Sequence, residues 1–321
     1  MSLPVQRYYF NFAVQDPLHL NFYSGSMLRG CFGVALKQIT CMTRMENCKQ
    51  CMLYRSCTYP MLFETPPPEA HALQSFSQIP PPYVIEPPPL GSKDYKPGET
   101  LSFSMVLIGQ AIKQLPLIIF AWQRALAYGL GKTRSKAKLV DVTVQTAEQP
   151  QLIYSVGNNS TIAEHQALTL PVITDINFLS IHIKTPLRIQ KEGQILSHNM
   201  TARDFIMSLV RRYYLLEEFH TAPYQAPDFS ELAELAQAVT CETHFKWCDW
   251  VRYSKRQQQK MVFGGVLGEL KLTGDLTPFL SMLVLGQWLH VGNKTTFGMG
   301  NYRLTSASSC TSAYDRSVSQ K

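Results

Sequence analysis

The sequence predicts an α+β fold built from two tandem ferredoxin-like units, and three observations predict it. Strand-like and helix-like segments follow one another as β-α-β-β-α-β in the first half. The same order resumes in the second half with different insertions. The third observation is a shared offset: Asp16-Pro17-Leu18-His19-Leu20 stands to Thr185-Pro186-Leu187-Arg188-Ile189 as Gly129 and Gly131 stand to Gly298 and Gly300. A fixed offset between similar segments is the mark of a repeated unit.

The elements follow in order. Residues 5–14 alternate as a strand does, and 24–39 read as a helix entered at Ser24 or Ser26. A cysteine-rich insertion, 41–57, follows. Prolines crowd 60–97, so this stretch reads as extended, with at best a short edge strand near Tyr83 to Ile85. Residues 99–109 form a strand, Ile112 to Leu126 a helix with Pro116 in its first turn, and 135–144 a strand. The first domain is thus expected over 1–155, with a connector over 156–174. In the second domain, 175–305, a strand at 175–184 leads to a hairpin turned at Glu192-Gly193. Helices are expected from Thr201 to Phe219 and from Asp228 to Val239, then strands over 245–255 and 260–273, a helix over 276–289 and a last strand from Asn301. The Ser-rich tail 306–321 has little to bury and reads as disordered.

Composition narrows the class. A chain of 321 residues suits two domains, each able to bury its own core. The apolar run Leu115 to Trp122 is far too short to span a bilayer, and the N-terminus lacks a secretion-signal pattern, so a cytoplasmic location is expected. The 30 Lys and Arg against 23 Asp and Glu suit a polyanionic partner without requiring one. Gly131-Lys132-Thr133 imitates the end of a P-loop, but position 126 is leucine and the segment closes a helix, which argues against nucleotide hydrolysis.

Four of the eight cysteines, Cys41, Cys48, Cys51 and Cys57, cluster in a short polar segment. The C-x-x-C pair with a flanking thiol on either side is a metal pattern, and structural Zn2+ is the leading expectation, ahead of an iron–sulfur cluster or unligated thiols. Lys49, Arg44 and Arg55 interleave the thiols, so contact with RNA is open beside the role of a staple for a coreless insertion.

The segment His290 to Gly300 reads as an RNA-handling loop. Gly292, Gly298 and Gly300 allow close approach of a phosphate backbone, while Lys294 and Thr296 supply charge and donors. Arg252 and Arg256 alternate with aromatics and share one face of a strand, which suits a phosphate backbone. Lys132 and Arg134, continued by Lys136 and Lys138, make a second basic row, equally readable as a charged edge. Arg29 either contacts RNA or bridges the cysteine insertion to the core. Arg211-Arg212 is open in the same way.

These residues carry a family resemblance. Gly25-Ser26-x-Leu28-Arg29-Gly30-x-Phe32-Gly33 with the four cysteines and Tyr59-Pro60-x-Leu62-Phe63-Glu64, then Pro81-Pro82-Tyr83-Val84-Ile85-Glu86, then Trp250-x-Arg252-Tyr253-Ser254-x-Arg256, then Gly264-Gly265-x-x-Gly268, then His290 to Gly300, resemble in order a CRISPR precursor-RNA processing endoribonuclease of the RAMP superfamily. The resemblance spans about residues 5 to 305. It implies two ferredoxin-like domains that bind repeat RNA and cut it without a catalytic metal, by attack of a 2′-hydroxyl that leaves a 2′,3′-cyclic phosphate and a 5′-hydroxyl. Such chemistry needs a base, an acid and charge stabilisation. Related enzymes often place a catalytic histidine in or just after the first helix, and residues 24–39 hold none. His290, beside the glycine-rich loop, is then the first candidate, with a capping histidine as the competing reading; His19 is second, with Tyr23 and Lys37 as helpers. His198, His220 and His244 read as surface or structural. The alternatives are a non-catalytic RAMP subunit that holds crRNA in an effector complex with other CRISPR proteins, and a zinc-stabilised RNA-binding module outside CRISPR.

Overall fold

The computed structural model describes residues 3–69, 79–157, 161–166, 168, 170, 176–221, 225–254 and 259–305, with the backbone alone for 251–254 and 259–262. The first half contains β1 (Val5–Val14), β2 (Leu18–Leu20), α1 (Gly25–Thr40), α2 (Thr58–Phe63), β3 (Tyr83–Glu86), β4 (Lys93–Tyr95), β5 (Thr100–Ile108), α3 (Leu115–Tyr128), β6 (Ala137–Val144) and β7 (Gln151–Ser155). The second contains β8 (Phe178–Leu187), β9 (Gln190–Lys191), β10 (Gln194–Ile195), α4 (Ala202–His220), α5 (Phe229–Ala238), β11 (Thr240–Ser254), β12 (Gln259–Thr273), α6 (Leu280–Leu289) and β13 (Tyr302–Thr305).

The first sheet runs β3-β5-β1-β6-β7 and the second β11-β12-β8-β13. Each therefore places its first long strand between the third and the fourth of the β-α-β-β-α-β unit, the ferredoxin-like order. Alternation along β1 sends Tyr8, Phe10, Phe12 and Val14 inward against Leu28 and Phe32 of α1 and Trp122 of α3. Phe32 stacks on Trp122 at 5.0 Å, and the Trp122 indole N–H donates to Met105 Sδ at 3.4 Å. In the second unit Thr201 and Asp204 form a reciprocal capping box at the start of α4, and Asp228 caps α5.

The repeat is real, but its registration differs between strands and helices. Val14 faces Ala137 and Ile183 faces Tyr302, so the offset between the first strands holds. At the second helices it fails. Helix α3 ends at Gly129 with φ 97°, and α6 ends at His290 with φ 58°. Leu130 then bridges Ser135, as the Val291 N–H donates to the Gly300 carbonyl. His290 is thus the counterpart of Gly129, and the longer glycine-rich loop is an insertion between two equivalent anchor points.

The first unit buries its own core on one face of its sheet, and the other face is packed against the second unit. Val84, Val106 and Ile108, on the outer face of the first sheet, join the core of the second unit. Helix α6 is buried nearly all round, which matches a sequence with no polar stripe. The connection is tightened by His220 at the end of α4, whose Nε2–H donates to the Pro80 carbonyl at 2.7 Å. Burial pushes the His220 pKa down to about 4. A histidine buried as the neutral ring contributes stability above its unfolded pKa of about 6.5, and the contribution disappears as pH falls through the folded value. Urea unfolding across this range is expected to show a loss of about 3 kcal/mol from this residue between pH 6.5 and 4, and His220→Gln should flatten that slope.

Candidate nucleic-acid interface

The glycine-rich loop is seated on the first turn of α1. A Cβ on Gly25 would lie 1.9 Å from the Phe297 carbonyl oxygen, and one on Gly298 would lie 2.5 Å from that of Ile85. The Tyr23 hydroxyl donates to the same Phe297 oxygen at 2.7 Å. Gly298, Gly300 and Thr296 are buried, so the missing side chains serve close contact within the protein. This corrects the expectation that these three residues face a phosphate backbone. Asn293 and Lys294 at the loop tip are exposed, and Gly292 is half-buried. Lys294 holds a left-handed conformation, φ 64°.

A pair of glycines in α1 tests this seating. Gly25→Ala is expected to destabilise the fold by about 1–3 kcal/mol, because a buried Cβ must push the loop off the helix. Gly30 is exposed, with nothing within 4 Å of an added Cβ. Gly30→Ala in the same helix should be neutral to stabilising by up to about 1 kcal/mol, as judged by thermal unfolding.

His290 is fully buried and anchors a polar network between the units. Its Nδ1–H donates to the Met299 carbonyl at 3.1 Å, and Nε2 accepts from the Asn301 amide at 2.7 Å. Nε2 also stands 3.1 Å from Glu86 Oε1. Glu86 receives the Arg7 guanidinium through Nε at 2.7 Å and Nη2 at 2.8 Å, and the Ser104 hydroxyl at 2.6 Å. Arg7 reaches further, to Gln145 Oε1 at 2.8 Å and the Gln287 carbonyl at 3.1 Å. Burial pushes the His290 pKa down despite the nearby Glu86, so the ring is neutral near pH 7. Burial alone would raise the Glu86 carboxyl, but the Arg7 guanidinium outweighs it and holds the carboxyl well below the usual carboxylate range. A ring with no exposed surface has no route to a scissile phosphate, which corrects the choice of His290 as a group touching RNA. The capping alternative describes its position.

Tyr23 is also buried, and burial pushes its hydroxyl well above its usual range. With that hydroxyl donated to Phe297, Tyr23 is placed to shape the site and not to exchange protons. It lines a small aromatic cavity with Ser26, Trp250, Phe263, Phe297 and Met299, where its ring lies 5.1 Å from Trp250. Arg188, not singled out in the sequence as a site residue, lies over Phe263 at 5.7 Å and donates to the Gly264 carbonyl. Arg29 is sandwiched between Phe63 at 4.0 Å and Phe297 at 5.0 Å and donates to the Phe63 carbonyl. These contacts tie α1 to α2 and to the glycine-rich loop.

His19 lies on the short β2–β4 ladder directly opposite Asp94. Its Nδ1 is 2.7 Å from Asp94 Oδ1, and the ring is 56% exposed. The ladder runs into the aromatic cluster: the Gly91 N–H donates to the Phe22 carbonyl, and Leu90 packs beside Tyr23 and Trp250. Lys37 is directed elsewhere. Its ammonium donates to the Glu46 carbonyl in the cysteine insertion at 2.9 Å, so Lys37 and Tyr23 do not gather around His19.

Lys132, Arg134, Lys136 and Lys138 are all exposed along the turn into β6. Arg211 is exposed, whereas Arg212 is buried and donates to the Leu289 carbonyl at the end of α6. Desolvation pushes the Arg212 pKa down to about 9. Arg256 lies outside the described residues, and Arg252 is described only as backbone of β11, opposite Met261. The four clustered cysteines carry free thiols that line one cavity. Among the described residues no set of three or more histidine, cysteine or acidic side chains is arranged to hold a metal ion as it stands. No described helix is long and apolar enough to cross a membrane.

Comparison with known proteins agrees with this architecture. A family model of an N-terminal domain, AF_1859_N, matches residues 3–167, and the model of the CRISPR-associated endoribonuclease Cas6 matches residues 181–302. An uncharacterized protein of Archaeoglobus fulgidus is 24% identical over 299 residues, covering 90% of this chain and 93% of its own. A Cas6 (TTHB231) product complex shares the fold with a TM-score of 0.56 at 17% identity, over 94% of this chain and 100% of that one. Thermus thermophilus Cas6 (TTHB231) gives 0.52 at 16% identity, over 95% and 100%. A partial Cas6-RT-Cas1–Cas2 complex gives 0.54 at 14% identity, over 94% of this chain and 46% of that one. The chain belongs to the AF_1859_N family through its N-terminal domain, and its second half is similar to the CRISPR-associated endoribonuclease Cas6.

Proposed function

We propose that this protein binds CRISPR repeat RNA and cuts the precursor transcript once, by attack of a ribose 2′-hydroxyl on the adjacent phosphate and without a catalytic metal. The products are a 2′,3′-cyclic phosphate and a 5′-hydroxyl. The observation that carries the reading is the exposed His19 ring held by Asp94 on the ladder that leads into α1. A half-exposed imidazole with one nitrogen committed to a carboxylate keeps the other available for proton transfer. Lys294 at the loop tip offers a cation for the charge that develops on the phosphorane. The exposed row from Lys132 to Lys138 gives the RNA backbone a track. The relative solved with RT, Cas1 and Cas2 makes other CRISPR proteins reasonable partners.

The test uses the purified protein and end-labelled repeat RNA in brief single-turnover reactions with EDTA. Cleavage at one phosphate, abolished by a 2′-deoxy substitution at the nucleotide on its 5′ side, is the expected result. Tight binding with no cleavage would sink the proposal and leave a subunit that holds crRNA in an effector complex. The absence of a histidine from α1 is the observation that favours this second reading.

A further inference from the structure

We infer that Cys41, Cys48, Cys51 and Cys57 form a structural zinc site that holds the 41–57 excursion onto the first domain. The excursion leaves α1 where the Cys41 N–H donates to the Lys37 carbonyl, and it returns at Cys57, the N-cap of α2. No residue from 41 to 57 is buried, and Met42 and Met52 are 86% and 92% exposed. Ordering backbone costs about 1–2 kcal/mol per residue, and this segment has no apolar interior to offset it. Its interior consists of thiols. All four cysteines are half-buried and line one cavity with Leu53, Tyr54, Tyr59 and Pro60.

The backbone around them is already organised for ligation. Cys48 and Cys51 share a single turn closed by the Cys51 N–H donating to the Cys48 carbonyl at 3.0 Å, which sets two thiols on one side as a C-x-x-C knuckle does. The Cys57 N–H donates to the Leu53 carbonyl at 2.8 Å, and Cys41 enters from the end of α1. The sulfurs share the cavity without standing in a finished ligand set. Ion binding would therefore draw the loops inward, and ligation and ordering of the excursion would be one step. Four soft thiolates in tetrahedral array select zinc over magnesium or calcium, which prefer oxygen ligands. Ligation releases each thiol proton to solvent, and four thiolates around Zn2+ carry a net charge of −2. Lys37, whose ammonium reaches the Glu46 carbonyl within the excursion, offsets part of that charge, and Arg44 and Lys49 interleave the thiols in the sequence.

The test is metal analysis of the full chain purified without chelator and then desalted after exposure to zinc. About one zinc per chain is expected, falling to a small fraction in Cys48→Ser/Cys51→Ser and unchanged in Cys248→Ser. Because the double variant is open to misfolding, alkylation of the wild-type protein supplies a second measurement. With zinc bound, Cys41, Cys48, Cys51 and Cys57 should resist alkylation, and after chelation all four should react, as mapped by mass spectrometry. A protein that takes up no zinc and whose four thiols react equally with and without it would overturn the site. Visible absorption from an iron–sulfur cluster, or disulfides among the four cysteines, would overturn it too.

Discussion

Glu86→Ala is expected to cost about 3–5 kcal/mol of stability, because it leaves the Arg7 guanidinium buried without its counter-charge. Arg7 and Glu86 side chains are 3% and 14% exposed, so neither is rescued by water as a surface ion pair would be. Coulomb attraction and two short charge-assisted hydrogen bonds hold the pair, and the Ser104 hydroxyl and the Asn301 amide donate to the carboxylate as well. Removing the carboxylate strands three partners at once. Glu86→Gln keeps the shape and one acceptor, so it should cost less than the alanine while still leaving the cation uncompensated. The two units should also loosen against each other, since Arg7, Glu86 and Gln145 come from the first and Gln287, His290 and Asn301 from the second. Urea unfolding gives the energy, and amide exchange in α6 and the glycine-rich loop locates the loosening. A loss below about 1 kcal/mol would show that water reaches the network.

The network also sets an acid limit. Glu86 contributes stability above its unfolded pKa, and that contribution is lost as pH falls toward its depressed folded value. His290 and His220 are neutral when folded, so protonation favours the unfolded chain below about pH 6.5. All three groups act in the same direction, and acid should separate the two units before alkali does.

Little of this network was legible in the sequence, whereas the fold was. Alternation in β1 and β5, the apolar face of α1 and the capping box at Thr201 are local patterns, and local patterns survive folding. The β2–β4 ladder was missed because strands of three residues have no period to detect. Glu86 lies just past the short edge strand expected near Tyr83 to Ile85, among prolines, and nothing nearby announces that it meets His290 across 204 positions. One signal for His290 was present. Leu280 to Leu289 lacks a continuous polar stripe, so the helix had to be buried on all sides, and the residue that ends such a helix is carried inside with it. The loop glycines misled for a related reason: close approach is what glycine permits, and here the approaching backbone belongs to the protein.

His19→Ala is expected to slow single-turnover cleavage by about 10²–10⁴-fold, the range for loss of a positioned acid or base, while RNA affinity changes little. The argument is one of access. Among the candidate histidines, His290 has no exposed surface, whereas the His19 ring is open to an incoming ribose or phosphate. Asp94 fixes which nitrogen is presented: by accepting from Nδ1–H it leaves Nε2 as the exchanging atom. Asp94→Asn should therefore keep the fold and the RNA affinity but cost less than His19→Ala. A lower cleavage rate with unchanged thermal stability separates a carboxylate that orients the reacting histidine from one that merely pins a short ladder. His290→Gln should reverse the pattern, with a stability loss from the buried network and a much smaller change in the cleavage step measured below the unfolding range. Near-wild-type cleavage by His19→Ala, together with a hundred-fold loss in a folded His290→Gln protein, would return the proton transfer to the buried histidine and require the loop to open before RNA is cut.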